Sequence, residues 1–153
     1  MIFRTHLAFG LLLGLLFFDK FNVNKWLFLF LILFGAALPD IDHPKSRIGK
    51  KFRFLSKIIN FFFGHRKLIH SIFIPIILSF IIRNFFGDSW IPFFIGYFSH
   101  LIMDSFTLEG VNFIHPFKQL RLQGFIETGK KEEMVLFLIF VFFDSLLLYI
   151  VFF

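Results

Sequence analysis

The chain has 153 residues, of which 58% are hydrophobic and 17% charged, and its formal net charge is +6. Its mean hydropathy is +0.81, and in soluble domains about a quarter of residues are charged. These values exclude a disordered chain and indicate one membrane-embedded domain over residues 1–153, because so little polar surface cannot coat so much apolar volume. Cysteine is absent, which excludes disulfides and thiolate metal ligands. The positive charge indicates basic loops against anionic lipid headgroups rather than nucleic-acid binding.

Apolar runs predict an all-α integral membrane protein with about five transmembrane helices. The runs cover residues 7–18, 26–38, 68–82, 90–103 and 134–153. The last could cross a bilayer core of ~30 Å alone, whereas the first two are shorter than that thickness. We expect polar residues to continue those two helices, shielded by neighbouring helices. The first run is interpreted as a retained helix, since no small-residue cleavage site follows it.

Long and short connections alternate between these runs. If each run crosses the membrane once, the N-terminus and the long connections 39–67 and 104–133 share one side. Most of the 16 Lys and Arg residues fall on that side, so the positive-inside rule predicts that it faces the cytoplasm in the cell inner membrane. Within 46–63, apolar residues spaced by three and four alternate with basic ones. This pattern predicts an amphipathic helix lying in the headgroup plane, or a helix packed on its neighbours with a solvated basic face.

Eight ionisable residues fall at four helix ends on this shared side. They are His6, Asp40, Asp42, His43, His65, His70, His100 and Asp104. Ionisable groups at membrane depth are costly and usually functional. Neutral imidazoles with carboxylates are ligands for zinc, manganese or iron where no thiolate is available. The sequence therefore predicts a site for one or two divalent ions, with zinc the first choice.

The spacing of these residues predicts how they are placed. His100 and Asp104 are four residues apart, so both leave the same helix face. His65 and His70 are five apart and do not share a face. We therefore expect His65 just before the third helix and His70 in its first turn.

The segment 38–44 contains two prolines, which favour extended backbone at the preceding residues Leu38 and His43. In extended chain, Asp40 and Asp42 would point the same way. The alternative is a turn in which one aspartate caps a helix. Asp144 lies deep in the fifth run, where we expect a protonated carboxyl hydrogen-bonded to a neighbouring helix, with Ser79 as a possible partner.

Four motifs follow one another between residues 5 and 117. They are Thr5-His6-xxx-Gly10, Pro39-Asp40-Ile41-Asp42-His43, His65-Arg66-xxx-His70-Ser71 and Gly96-xxx-His100-xxx-Asp104-xx-Thr107-xx-Gly110. In order and spacing this set resembles the YdjM-type family of membrane-bound, metal-dependent hydrolases of the inner membrane. Gly129-xxx-Glu133 is similar to that family's last acidic motif, and zinc-dependent phospholipase C is a more distant analogy. Lys67 stands where a glycine is expected, and His115 where a hydrophobic residue is expected, so His115 is left out of the site.

The resemblance implies a metal-dependent hydrolase, and the location at the bilayer surface favours a membrane-derived or lipid-like phosphoester. A bound divalent ion would lower the pKa of water to about 7. Arg66, or a second ion, would hold the charge of the transition state, and Asp42 or Glu133 would accept the proton. The alternatives are a metal-binding transporter and a structural membrane protein without catalytic activity. Apolar helices argue against a transport path, and the surplus of ligands against a closed structural site.

Overall fold

The computed structural model describes residues 1–64 and 66–152; His65, one of the predicted ligands, and Phe153 lie outside the described residues. The described chain is mostly helical. Its α-helices are α1 (Phe3–Phe17), α2 (Lys25–Ala37), α3 (Arg47–Lys51), α4 (Arg53–Phe63), α5 (Phe73–Phe86), α6 (Trp90–Ser105) and α7 (Lys131–Phe152). Short 3₁₀ helices cover Leu38–Asp42 and Gly87–Ser89, and the strands β1 (Val111–Asn112) and β2 (Arg121–Leu122) pair antiparallel. The predicted helical class is confirmed apart from this small hairpin.

Two segments, Phe73–Ser105 and Lys131–Val151, are long and apolar enough to cross a membrane. The first contains α5, a 3₁₀ turn and α6, and it folds back on itself, because Ile74 and Leu78 pack against a cluster that includes Phe93. The predicted count of five transmembrane helices is not supported. The reason is length: α1 and α2 have 15 and 13 residues, or roughly 20–23 Å of helix.

Helix α6 lies at the centre of the bundle and packs on α1, α2 and α5, while α7 packs on α1. Glycines bring α2 and α6 close together. A Cβ added to Gly96 would meet the carbonyl oxygen of Ile32, and one added to Gly35 would meet the carbonyl oxygen of Phe93. Small residues allow such backbone approach in membrane helix pairs. This contact sets the positions of the α2 and α6 ends, where the ionisable residues lie.

The amphipathic segment 46–63 is divided into two helices rather than one. Ser46 caps α3 by accepting a hydrogen bond at Oγ from the Gly49 N–H at 2.8 Å. Phe52 then leaves the helical region, with φ −112° and ψ 48°, and α4 follows in a new direction. The segment is therefore helical over the predicted range, but it forms two helices and not the single helix that was predicted.

Helix α4 turns its polar side toward the protein and its apolar side outward. Ser56 is buried, and the Asn60 side chain donates a hydrogen bond to the Asp42 carbonyl at 2.8 Å. The exposed apolar residues of α4 are Phe54, Leu55, Ile58, Phe61 and Phe62. An apolar face directed away from the protein favours a lipid-facing helix over the alternative of packing on neighbouring helices.

Helix α5 begins at Phe73, later than the predicted start at residue 68. Tight turns precede it, closed by the N–H of His70 on the Lys67 carbonyl at 3.1 Å and by the Ser71 hydroxyl on the Leu68 carbonyl at 2.7 Å. Pro75 fits the first turn of the helix, where no N–H is needed. The prediction that His70 lies in the first turn of a helix is therefore wrong; His70 lies in the turns before α5.

The 3₁₀ helix Leu38–Asp42 contradicts the expected extended backbone at Leu38, whose φ and ψ are −61° and −40°. Proline is tolerated in the first turn of a helix, so Pro39 does not prevent this conformation. His43 is extended as predicted, with φ −110° and ψ 105°. With three residues per turn, Asp40 and Asp42 point in different directions: Asp42 is fully buried and Asp40 is half-buried.

Asp144 lies on α7 and lines a groove with Leu7, Leu11 and Leu33. Among the described residues, neither Asp144 Oδ1 nor Ser79 Oγ has a hydrogen-bond partner. The expected hydrogen bond between them is therefore not formed. Since α7 packs on α1 whereas Ser79 belongs to α5, the two residues lie on different sides of the bundle.

Candidate metal centre

Two of the predicted ligands, His100 and Asp104, lie one turn apart on the last part of α6, and both are buried. The Nδ1 atom of His100 is 2.7 Å from the carbonyl oxygen of Ala36 at the end of α2. A carbonyl only accepts, so Nδ1 carries the proton and Nε2 keeps its lone pair. That Nε2 atom lies 3.6 Å from Asp104 Oδ2. The α2–α6 contact thus fixes both the ring orientation and the tautomer of His100.

His6 reaches the same point from the first turns of α1. Its ring stacks on that of His100, with centroids 3.6 Å apart and planes 9° from parallel. Its Nε2 atom lies 3.3 Å from Asp104 Oδ1. His6, His100 and Asp104 are all buried and offer ligand atoms within 4.8 Å of one another, close enough to hold a metal ion.

His70 joins this group from the turns before α5. Its Nε2 atom is 3.4 Å from Asp104 Oδ2, and its Nδ1 atom is 3.0 Å from Asp42 Oδ2. Burial disfavours the charged form of His70, but the hydrogen bonds and charges of Asp104 and Asp42 outweigh it and raise the pKa of His70 to about 9. The two carboxylates therefore favour the protonated form of the His70 ring.

Arg66 closes the group on its polar side. Its guanidinium lies 3.2 Å from Asp104 Oδ1 and 3.1 Å from Glu109 Oε2, and it donates to the Thr107 hydroxyl at 3.2 Å. Its backbone N–H donates to Asp42 Oδ2 at 3.0 Å, and its φ of 55° lies in the left-handed region. Arg66 is thus held by both backbone and side chain at the edge of the cluster.

The donor set fits a divalent metal ion. Ligand atoms bound at about 2.0–2.1 Å around a tetrahedral ion stand about 3.3–3.4 Å apart. The Nε2 atoms of His6, His70 and His100 lie 3.3, 3.4 and 3.6 Å from the oxygens of Asp104. The buried Nε2 atoms of His6 and His100 have no partner of hydrogen-bond geometry among the described residues. Such atoms are costly to bury unless they bind something.

The amino group of Met1 also contacts Asp104 Oδ1. Asp104 is therefore surrounded by donors and cations contributed by α1, by the turns before α5 and by α6 itself. A carboxylate at the end of a membrane helix with so many partners is typical of a functional site.

The remaining predicted ligands are placed differently. Asp40 and His43 line a separate surface cavity beside α3. Asp42 contacts His70 and Arg66, so it holds these two residues on the side away from Asp104. The structure thus brings together His6, His70, His100, Asp104 and Asp42, whereas Asp40 and His43 line the other cavity.

Glu133, a predicted proton acceptor, has both carboxylate oxygens in hydrogen bonds. Oε1 accepts from the Thr5 hydroxyl at 2.8 Å and from the Ile2 N–H at 2.6 Å, and Oε2 accepts from the Gly129 N–H at 2.7 Å. The side chain is buried. Glu133 therefore joins the start of α7 to the start of α1, directly beside His6.

Sequence reasoning did not assign a role to Thr107 or to the Ala36 carbonyl. Thr107 is buried, donates its hydroxyl to the Asp104 carbonyl at 2.7 Å and accepts from Arg66. A threonine three residues after Asp104 was a signal for this contact. A carbonyl partner for His100 has no side-chain signature and could not be found from residue types.

A cavity of about 530 Å³ opens beside Arg66. Lys67, Arg121 and Glu109 line it together with Arg66, so three guanidinium or ammonium groups face one carboxylate. His115, which was left out of the predicted site, also lines this cavity. Arg66, which contacts Asp104, is thus part of the lining of this cavity.

The fold and this cluster define a helical membrane protein that carries a buried group of histidines and aspartates at one end of its bundle. The chain belongs to the YdjM inner membrane protein family, whose model matches residues 1–152, and the resemblance found in the motifs is thereby confirmed.

Two relatives illustrate this similarity. The uncharacterized protein YvsG of Bacillus subtilis (strain 168) is 40% identical over 106 residues, which cover 67% of this chain and 66% of that protein. The inner membrane protein YdjM of Escherichia coli (strain K12) is 36% identical over 88 residues, which cover 53% of this chain and 45% of that protein. The chain thus spans two thirds or less of the length of the relatives it matches. No solved structure matches the chain significantly.

Proposed function

We propose that this protein is a membrane-embedded, metal-dependent hydrolase that cleaves a phosphoester. The observation that carries the proposal is the convergence of three histidines on Asp104, with Arg66 at the edge of the group. Imidazole and carboxylate ligands suit zinc best, and manganese or iron next. One ion fits the group around Asp104, and a second remains part of the proposal.

His6, His100 and Asp104 would hold the ion, with His70 as a further ligand. When bound, a divalent ion supplies a Lewis acid and lowers the pKa of a coordinated water. The Ala36 carbonyl orients His100, and Asp42 orients His70 in the same way through Nδ1. Carboxylate and carbonyl partners of this kind raise ligand basicity.

Arg66 is the residue proposed to hold the negative charge of a phosphoryl group. A guanidinium matches phosphate oxygens with paired donors. Its partner Glu109 is largely exposed, so an anionic group entering the cavity can replace that contact at little cost. Asp42, whose Oδ2 atom lies 3.0 Å from His70 Nδ1 and accepts the Arg66 N–H, is the proposed proton acceptor of the reaction. Glu133 is assigned a positioning role, because its oxygens are already satisfied.

The cavity beside Arg66 suggests the class of substrate. Lys67 and Arg121 add positive charge to it, which favours a small anionic group. The cluster lies at the ends of apolar helices, so the substrate is proposed to be membrane-derived or lipid-like, with the bilayer itself as the main partner. Nucleic acid is not expected, because the basic residues are explained by the membrane surface.

The family is an inner membrane family, and we propose in addition which side of the membrane the cluster faces. The start of α7 and the end of α6 lie on the same side as the basic loops, and that side is proposed to face the cytoplasm of an inner membrane. Helices α1 and α2 are proposed to lie within the membrane against the candidate spanning segments. Helix α4, with its outward apolar face and its basic residues Arg53 and Lys57, would then rest in the anionic cytoplasmic leaflet.

A second candidate function rests on the burial of the cluster. His6, His100 and Asp104 are almost entirely shielded from solvent, as ligands of a structural metal site are. A metal ion would then hold the ends of α1, α2 and α6 together without catalysis. Loss of metal would in that case unfold the protein, and no hydrolysis would be found.

The experiment screens purified, zinc-loaded protein with phosphodiester, phosphomonoester and carboxylic ester substrates. Wild-type hydrolysis of a phosphoester should be abolished by a strong chelator and restored by zinc. His100→Ala should be inactive although folded, and Asp88→Asn, an exposed aspartate at the opposite end of α6, should retain activity. Chelator-insensitive hydrolysis, or a fully active His100→Ala protein, would contradict the proposal.

A further inference from the structure

A second cavity, of about 450 Å³, lies beside the starts of α1 and α3 and is separate from the one at Arg66. Arg4, Lys45, Arg47 and Lys50 line it, and Asp40 is its one carboxylate. We call this cavity the basic pocket. We propose that the basic pocket binds the phosphate group of an anionic membrane lipid. This inference does not depend on the hydrolase proposal.

The first argument is charge. Within residues 1–64 and 66–152, none of the four cations of the basic pocket has a carboxylate within ion-pair distance. Four positive groups around one concave opening repel each other unless an anion lies between them. A concave, positively charged surface focuses the field and attracts such an anion. Among the described residues, the chain places no carboxylate on these four exposed cations, so an anion that enters the basic pocket meets positive charge that is not yet neutralised.

The second argument is the apolar part of the lining. Ile2 and Phe3 line the basic pocket together with the cations, and the guanidinium of Arg47 lies over the Phe3 ring at 5.9 Å. This contact holds the guanidinium beside an apolar side chain through a cation–π interaction. Positive charge next to apolar lining fits a phosphate attached to a glycerol and the start of an acyl chain better than it fits a free phosphate ion.

The third argument is depth. The Arg4 guanidinium is 3.5 Å from the sulfur of Met134 and lies over the Phe137 ring at 4.9 Å. These residues of α7 begin its apolar run, directly after the charged turn Lys131–Glu133. Arg4 therefore lies at the level where α7 passes from polar to apolar residues, which is the level of lipid phosphates.

Helix α4 gives independent support for placing the basic pocket at the level of the lipid phosphates. It follows α3 directly, and its apolar residues Phe54, Phe61 and Phe62 are exposed on the surface. Outward apolar side chains are expected where lipid, not water, covers the surface. The basic pocket thus opens beside a helix that meets the lipid.

The test counts lipids bound to the purified protein in detergent by native mass spectrometry. Phosphatidylglycerol, phosphatidylcholine and soluble glycerol phosphate are the three probes. We expect one phosphatidylglycerol per chain, bound roughly tenfold or more tightly than phosphatidylcholine, whose choline cation is repelled by the basic residues. If glycerol phosphate bound as tightly as phosphatidylglycerol, the claim that the bound phosphate belongs to a lipid would be wrong. If the two lipids bound equally, the claim that the basic pocket selects an anionic lipid would be wrong.

A pair of triple variants with the same change of net charge separates a pocket from general surface charge. Lys45→Gln/Arg47→Gln/Lys50→Gln removes three lining cations. Lys51→Gln/Arg53→Gln/Lys57→Gln removes three exposed cations from α3 and α4 that do not line the pocket. The first set should weaken phosphatidylglycerol binding roughly tenfold or more, and the second less than about threefold.

Equal losses in the two triple variants would overturn the proposal, since surface charge alone would then account for binding. Thermal unfolding checks that both variants are folded, and all six substituted residues are exposed. Metal content is measured in parallel, so a failure of the basic pocket remains distinguishable from a failure of the metal centre.

Discussion

Asp104 receives the Nε2 atoms of three histidines at 3.3–3.6 Å and the Arg66 guanidinium at 3.2 Å. Its own backbone carbonyl accepts the Thr107 hydroxyl. A carboxylate with this many partners cannot rotate freely, and its two oxygens are directed at different histidines. This rigidity is what a ligand of a metal centre requires, because supporting contacts hold the ligands at bonding distance.

Asp42 is expected to tune metal affinity although it is not in the His6, His100 and Asp104 group. Asp42→Asn removes the charge behind His70 Nδ1 and should weaken zinc binding roughly 10–100-fold. Asp40→Asn, two residues away and in a different cavity, should change affinity less than about threefold. Competition with a fluorescent zinc chelator measures both. Equal losses would show that Asp40 is a ligand after all and that the observed separation of the two aspartates is wrong.

Glu133 is expected to act on stability rather than on metal binding. Glu133→Ala would leave the Thr5 hydroxyl and two backbone N–H groups without their acceptor, which should cost about 2–4 kcal/mol. Its exposed neighbour supplies the control, Glu132→Ala, which should cost less than about 0.5 kcal/mol. Denaturation in detergent gives the difference. A Glu133→Ala protein as stable as wild type, but inactive, would restore Glu133 to the reaction.

Residue types and spacing predicted that His6, His100 and Asp104 come together, but they did not predict which other residues join them. His100 and Asp104 followed from a four-residue separation on one helix, and His6 from its place at a helix start. Asp40 was expected beside Asp42 because the prolines suggested extended chain, whereas a 3₁₀ helix turns the two apart. Glu133 was expected as a proton acceptor; its hydrogen bonds to two backbone N–H groups have no signature in the sequence.

At the scale of helices, the contact between α2 and α6 determines where His100 meets the Ala36 carbonyl. Gly96→Ala places a methyl group against the Ile32 backbone, which cannot move without separating the helices. We expect a loss of about 1–3 kcal/mol and weaker zinc binding in the same variant. Gly14→Ala is the control, because its added methyl meets only the side-chain ends of Ile32 and Leu29 at 3.0 Å. Thermal unfolding in detergent should rank wild type, Gly14→Ala and Gly96→Ala in that order; the opposite order would contradict the close packing.

Hydrophobic periodicity located the helices but not their ends. The apolar run from residue 68 continued the pattern of α5, yet hydrogen bonds of Ser71 and His70 close turns there, and the helix begins at Phe73. Likewise the pattern across 46–63 is uninterrupted, while the backbone breaks at Phe52. The first break lies where His70 contacts the cluster, and the second lies where α3 and α4 both pack on the Leu38–Asp42 helix.

For the molecule as a whole, the outward apolar surface and the basic loops together favour the orientation proposed above. Exposed apolar side chains follow α2, α5 and α7, whereas most of the 16 basic residues belong to the connections at the cluster end. If that end is in the cytoplasm and α7 crosses once, the C-terminal end of α7 lies on the opposite side of the membrane. Alkaline phosphatase fused after Phe153 should be active, and a fluorescent protein that matures only in the cytoplasm should stay dark. The reverse pattern would place the cluster outside the cytoplasm.

Metal content per chain tests the existence of the centre most directly. Wild-type protein purified in detergent, loaded with zinc and passed through a desalting column should retain one to two zinc ions per chain. His100→Ala and Asp104→Ala should lose the ion at the His6, His100 and Asp104 group while remaining folded, whereas His115→Ala, a histidine outside the cluster, should retain the wild-type amount. Folded wild-type protein that retains no divalent metal, or a His100→Ala protein with an undiminished zinc content, would contradict the account.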